Sequence, residues 1–399
     1  MDKYSINCYL NNSMGVVIRH GVDLLGPGKT RLYLVGFYEY IRFAVYCIFY
    51  SSRVNIVEEK PGAKLLVVYG DYVVKQESTM AILTSFKNTI FEINYSELVV
   101  VNKIDVFSIP KKIYFFLKYI FKFQWEGWLT VMMALSCSRS AVDLKEVENI
   151  YEINNFAKVV TFCDAIGLEN AFSAYGKSKS IITFTLQHGQ YRILSSSNFS
   201  QDAEAIDNFI SDFLFCWGEA TVLEYLKAGY SRDKMILVGR FMDPVRQGKE
   251  PSGEFFGVAL SGENSKKDNE RLLMFAERLS FAIGKSYLVR YHPSNNREYY
   301  NKFTSQAVSN IEIEDYFKCC EFSIMCMTGF FLECIEVAHP FCFVDLGDLP
   351  AVFSSYSPVV SNDDDIYAVL NNINFENLKE FYNQDALQKV RVIEALCCG

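Results

Sequence analysis

Short runs of β-forming residues recur along this chain, each followed by a longer stretch of helical character. From Thr30 onward they read LYLVG (32–36), LLVVYG (65–70), TIFEINY (89–95), VVTFCD (159–164) and IITFTLQHG (181–189). Parallel strands need a long crossover, and a helix in that crossover covers one sheet face, so this alternation implies βαβ units and parallel sheets. After Trp217 a helical pattern, EATVLEYLKAGY, leads into KMILVGRFMD, and the polar GKEPSGE (248–254) reads as a linker. The alternation then resumes with FFGVALSG (255–262), a helix near 268–284, SYLVRYHP (286–293) and EFSIMCMTG (321–329). A helix from about Phe330 to Ala338 and the run PFCFVD (340–345) follow. The expectation is an α/β chain of two doubly wound domains, 1–247 and 248–399, with the C-terminal helix able to pack back on the first. Ligands would then lie at the carboxyl ends of the strands, in a cleft between the domains.

Length and composition agree. A chain of 399 residues exceeds the size at which one core keeps growing, and 50% hydrophobic residues are enough for two. The net charge of −8, with no long basic run, excludes general attraction to nucleic acid. Twelve cysteines without a CxxC pair read as small hydrophobes in a reducing compartment rather than as a disulfide scaffold. The start, MDKYSINCYLNNS, lacks the basic and apolar regions of a secretion signal, and no apolar run approaches the roughly 20 residues of a spanning helix. A cytoplasmic protein is expected.

Four histidines occur, at positions 20, 188, 292 and 339, and two of them end strand-like runs. His188 stands in Leu186-Gln187-His188-Gly189 and His292 in Arg290-Tyr291-His292-Pro293. On an extended strand Arg290 and His292 would share a face and offer a fixed cation and a titratable donor to a phosphate. A structural histidine before a strand-ending proline is the plainer alternative. Met327-Thr328-Gly329 then ends a strand and opens a helix, placing free backbone N–H groups beside a hydroxyl. Glu333, one turn in, is suited to ribose hydroxyls, with Glu336 competing; an N-capping threonine followed by solvated acids would look the same.

The succession QHG (187–189), WGE (217–219) with VGRFMD (238–243), RYHP (290–293) and TGFFLECIEVAHP (328–340) resembles bacterial GT-B glycosyltransferases of capsule and O-antigen assembly. Kdo transferases, sialyltransferases and CDP-polyol phosphotransferases are the similar groups. The resemblance spans about residues 155–345 and implies two Rossmann-like domains facing a central cleft. It implies a nucleotide-sugar donor, a CMP-activated acidic sugar ahead of UDP-, dTDP- or GDP-sugars, and a glycan or lipid-linked glycan acceptor. It makes His292 the donor-phosphate ligand, Thr328 and Gly329 a second phosphate contact and Glu333 a ribose contact; Arg290, from the strand pattern, and Pro293 stand beside His292 in the expected donor site. Ser261 and Gly262, ending FFGVALSG, complete that set. Thr328 stands alone, without the paired serines common in sialyltransferases, and no clear acidic-acidic-glycine segment is present.

An inverting transferase needs a base for the acceptor hydroxyl and charge stabilisation for the departing phosphate. Asp164, ending VVTFCD, is the first candidate, placed to face His292 across the cleft; Glu169 and His188 are the alternatives. Strand-end carboxylates also serve as helix caps. A UDP-sugar 2-epimerase, a CDP-polyol phosphotransferase or a non-catalytic binding protein would fit the same architecture.

Other signals do not hold. Gly26-Pro27-Gly28-Lys29-Thr30 has the end of a phosphate loop, but Asp23 stands where its first glycine belongs. His339-Pro340 falls at a helix exit, a packing position. No metal-ligand spacing or organic cofactor motif appears. Lys111–Phe123 interleaves four lysines with aromatic residues; a buried connecting helix is the first reading, and peripheral contact with the inner face of a membrane the second.

Overall fold

A computed structural model describes residues 37–121, 128–165, 167–189, 206, 209–241, 253–262, 265–304, 312–326, 328–347, 357–361, 365–383 and 388–397. The run at 32–36, the Gly26–Thr30 turn, His20, Met327 and most of the 248–254 linker lie outside them. Two compact units emerge. The first takes the described residues of Met1–Trp217, Thr221–Met242 and Asp385–Gly399; the second those of Gly218–Ala220 and Asp243–Gln384.

The first unit holds strands β1 (Tyr50–Glu58), β2 (Leu65–Gly70), β3 (Tyr95–Ile104), β4 (Lys158–Thr161), β5 (Ile182–Leu186), β6 (Phe213–Cys216) and β7 (Met235–Leu237). They form one sheet in the order β1-β3-β2-β4-β5-β6-β7. β1 is antiparallel to β3 and every other pairing is parallel. All six residues of β2 and all four of β4 are buried, as expected of central parallel strands covered on both faces. Leu66, Val68, Leu98 and Val159 meet Leu144, Val147 and Tyr151 of the Trp128–Ile153 helix and Phe172 and Tyr175 of the Gly167–Ser178 helix. The C-terminal helix Gln388–Cys397 belongs to this unit: the buried Lys158 ammonium donates to the Leu396 carbonyl at 2.9 Å and Arg391 to the Leu237 carbonyl at 2.7 Å. A cation at a helix C-terminus satisfies carbonyls that the helix leaves unbonded.

One expected strand is corrected. TIFEINY (89–95) is the end of the Glu77–Thr89 helix and a turn, and β3 begins only at Tyr95. Ile82, Leu83 and Phe86 bury the helical face, the Ile90 N–H closes on the Phe86 carbonyl, and Ile90 and Phe91 then lie one buried and one exposed. The helical period outlasts the β-favouring composition.

The second unit holds β8 (Phe255–Ala259), β9 (Tyr287–Arg290), β10 (Cys320–Met325), β11 (Phe341–Val344) and β12 (Val359–Val360), all parallel, in the order β12-β11-β10-β8-β9. The Lys266–Ile283 helix lays Leu272, Leu273 and Ala276 on Phe256, Val258, Val289 and Ile324, and ends where Gly284 takes the left-handed φ of 66°. Beneath β10 runs a buried chain of hydroxyls and imidazole: Tyr316 Oη lies 3.1 Å from Ser323 Oγ, and Ser323 Oγ 2.9 Å from His339 Nε2. A Cβ at Gly257 would stand 1.8 Å from the Tyr316 hydroxyl, so β8 approaches this chain only with glycine there.

Candidate active site

In the second unit the chain leaves β8 to pair β9 on one side and returns to pair β10 on the other, so its topological switch point lies between β8 and β10. The loops there are stitched by buried amides. Asn269, fully buried, accepts the Ser261 N–H at 2.8 Å and donates to the Ser261 carbonyl at 2.9 Å. Asn295 donates to that same carbonyl at 3.0 Å while accepting the His292 N–H at 2.8 Å. Ser261 is thereby fixed to the loop that carries His292. Neither asparagine was evident from the sequence, although Asn295 follows the His-Pro pair within HPSN.

The His292 ring faces solvent. Its Nδ1 lies 2.8 Å from Ser294 Oγ and accepts the Ser294 N–H at 3.2 Å, so Nε2 carries the proton of the neutral ring. Partial burial, and then the Arg290 cation, lower its pKa from 6.5 and keep it neutral near pH 7. A Cβ on Gly262 would lie 3.6 Å from Nδ1, which puts the turn after β8 beside this ring. Arg290, the last residue of β9, holds its guanidinium 4.9 Å from the centre of the Phe330 ring, which opens the Phe330–Glu336 helix. β9 stops at Arg290, so strand alternation no longer governs His292, and the Arg290 charge still acts on the His292 ring. Thr328 Oγ1 accepts only a long bond from the Phe330 N–H, at 3.5 Å; Gly329 is exposed and Glu333 half-buried. Pro293 is exposed beside His292.

The first unit has its own switch point, between β2 and β4, where three acid–base candidates gather. Glu169 Oε1 accepts the Cys163 N–H at 3.0 Å, and the carboxyl also takes bonds from the Gly70 backbone and the Tyr72 hydroxyl. It therefore bridges the ends of β2 and β4. Burial pushes its pKa from 4.5 to about 8, against those bonds. A group whose folded pKa is raised gives stability that is complete below its unfolded value and lost as pH rises through the folded one. Stability should thus decline from about pH 4.5 to about pH 8 by a few kcal/mol through this residue. In Glu169→Gln that slope should flatten in denaturant titrations run across the window; an unchanged slope would assign it elsewhere.

Asp164, the preferred base of the sequence reading, is 3% exposed. Its Oδ2 accepts the Ser211 N–H at 2.7 Å and the Ile210 N–H at 3.0 Å. Burial raises its pKa while these bonds oppose the rise. The geometry gives this carboxyl a holding task at the entry to β6. Gln187, fully buried, does similar work: it accepts the Trp217 N–H at 2.7 Å and donates to the Gly189 carbonyl at 2.8 Å. Gln187 of QHG thus binds the end of β5 to the end of β6, with its amide steadied by Gly189, and Arg240 of VGR places its guanidinium 5.5 Å from the Trp217 ring of WGE. His188, between them, is half-buried with its ring 5.3 Å from Phe162, hydrogen-bonded to the Leu186 and Phe162 backbones. Burial lowers its pKa to about 4, so it is neutral at physiological pH.

Among the described residues, no three His, Cys, Asp or Glu side chains come together as a metal-binding group, and no helix is long and apolar enough to cross a membrane.

Two Rossmann-like, doubly wound sheets in one chain, parallel but for the edge strand β1, give the GT-B fold. No protein-family model matches the chain, and no curated protein does. Among solved structures it is similar to Staphylococcus aureus MnaA with UDP, at 10% identity and a TM-score of 0.52 over 84% of this chain and 96% of that one. It is similar also to the Methanocaldococcus jannaschii UDP-GlcNAc 2-epimerase in complex with UDP-GlcNAc and UDP, at 14% identity and a TM-score of 0.51 over 84% and 99%. The likeness to the lipopolysaccharide outer core galactosyltransferase WaaB is weaker, at 9% identity and a TM-score of 0.36 over 83% of this chain and 95% of that one. At these identities the likeness is one of fold.

Proposed function

We propose that this chain is an inverting, metal-independent glycosyltransferase that takes a sugar from a nucleotide donor and passes it to a glycan or lipid-linked glycan acceptor. The observation that carries the reading is the edge of the second unit: an Nε2–H donor on a neutral His292 and a flanking Arg290 cation after β9, tied to the Ser261–Gly262 turn that borders the switch point where doubly wound folds bind ligands. A neutral donor and a fixed cation can hold a diphosphate or phosphodiester and stabilise the charge that builds on it as the glycosidic bond breaks. Thr328, Gly329 and Glu333 extend this donor site. In the first unit His188 becomes the favoured base on exposure alone: Asp164 and Glu169 are each 3% exposed, whereas His188, although also hydrogen-bonded to backbone, is half-buried. A lipid-linked acceptor would bring the enzyme to the inner face of a membrane, and no organic cofactor is called for.

The proposed donor is a CMP-activated acidic sugar, Kdo or a nonulosonic acid, from the His-Pro resemblance. UDP is the competing carrier, because the two similar solved structures hold it. The same likeness supports a second reading, a UDP-sugar 2-epimerase, whose proton transfers would draw on Glu169, Asp164 and His188.

Thermal shift against CMP, CDP, UDP, dTDP and GDP chooses the carrier, since saturation at 100 times Kd adds about 2.7 kcal/mol of stability. His292→Ala should then weaken that nucleotide by roughly 10–100-fold, the worth of a hydrogen bond to a charged group, with melting otherwise unchanged. Unaltered affinity would remove His292 from the site. Product analysis separates the two reactions: a transferase releases the nucleotide, in the presence of excess EDTA as well, while an epimerase returns it still attached to an altered sugar.

A further inference from the structure

The helix Ile109–Ile120 has an inner face fastened to the protein. Lys112, 2% exposed, carries its ammonium inward to the Ile48 and Tyr50 carbonyls at 3.2 and 2.5 Å, and Tyr119 is fully buried. The segment is therefore not wrapped by protein on all sides, and Lys112 does not reach outward. Its other face is apolar and open: Ile113, Tyr114, Leu117 and Phe121 are 52%, 63%, 50% and 85% exposed. At 100° per residue these four fall within an arc of about 100°. Just before the helix, Phe107 is 90% exposed.

Charge decides what covers this face. Lys111 and Lys118, both exposed, fall on one border of the arc, and no acidic residue occurs between Val106 and Phe121 in a chain whose net charge is −8. Asp105, the nearest acid in sequence, is buried against Arg53. A second copy docking through the same face would set lysine against lysine. An anionic lipid surface accepts both parts: acyl chains take the apolar arc and headgroups the ammonium groups.

The geometry points to this face as a peripheral membrane-docking surface that lays the Ile109–Ile120 helix in the headgroup region of an anionic bilayer. It is independent of the sugar chemistry proposed above. Tyr114 is the residue placed to hold its ring among the acyl chains with its hydroxyl at the headgroups. No span is involved, and binding should weaken with salt.

Co-sedimentation of the full chain with vesicles of phosphatidylcholine and phosphatidylglycerol in a three-to-one ratio tests it, with pure phosphatidylcholine vesicles alongside. Binding should be far stronger to the mixed vesicles. Lys111→Gln with Lys118→Gln should lower it about thirtyfold, since each juxtamembrane lysine is worth about 1 kcal/mol. Leu117→Ser with Phe121→Ser should lower it on the order of tenfold or more. These side chains are exposed, so thermal melting should stay unchanged and report that the variants fold. Equal binding to both vesicle types, or full binding by either double variant, overturns the inference. So does absence of lipid binding together with a self-association that Leu117→Ser and Phe121→Ser abolish, which would make the face a contact between copies.

Discussion

Replacement of His188 by glutamine should cut kcat by about 10²–10⁴ with donor affinity little changed, the scale of a positioned proton transfer. The residue is two past the end of β5, half-buried, with a neutral ring, and glutamine retains polar groups of similar reach without a basic nitrogen. The pH profile gives an independent check. The neutral ring is the active form and its pKa is lowered to about 4, so kcat/KM for the free enzyme should hold its value down to about pH 5 and fall below that. A bound nucleotide donor, being anionic, favours the imidazolium and should move the limb of kcat upward. Near-normal turnover in His188→Gln would return the role to Glu169 or Asp164. An acid limb unmoved by the substitution would give the limb to another group.

The parallel strands at the centre of each sheet were legible because they bury both faces and so appear as unbroken apolar runs; LLVVYG is β2 to the residue. β1 escaped notice because it is an antiparallel edge strand whose last four residues are exposed, so its sequence, YSSRVNIVE, carries no strong apolar signal. TIFEINY misled for the opposite reason: it has strand composition, but the preceding helical period claims its start. At the site, Arg290 and His292 were legible as a local pattern at a strand end. Asn269 was not, because a buried asparagine within an amphipathic helix looks like one more residue of its solvent face until the Ser261 backbone is seen beside it. The task of Asp164 was hidden by distance along the chain, since Ile210 and Ser211 lie 46 and 47 residues on.

That distance makes Asp164 the position where holding and catalysis are most cleanly separated. Asp164→Ala would leave the Ile210 and Ser211 N–H groups buried without their acceptor, and each such group costs about 1–3 kcal/mol. A loss of roughly 2–6 kcal/mol is therefore expected, a large part of the about 5–15 kcal/mol that holds a typical domain together. Asp164→Asn keeps one acceptor oxygen and should lose less, while the amide it introduces has no basicity. If the carboxyl only fastens the entry to β6, both variants melt earlier, in that order, yet turnover per folded molecule below the transition stays within a few-fold of the parent. If instead Asp164→Asn melts near the parent and loses about 10²–10⁴ in kcat, the carboxyl is the base after all and His188 the bystander. Stability and turnover move together under neither account, so measuring both on the same two proteins decides between them.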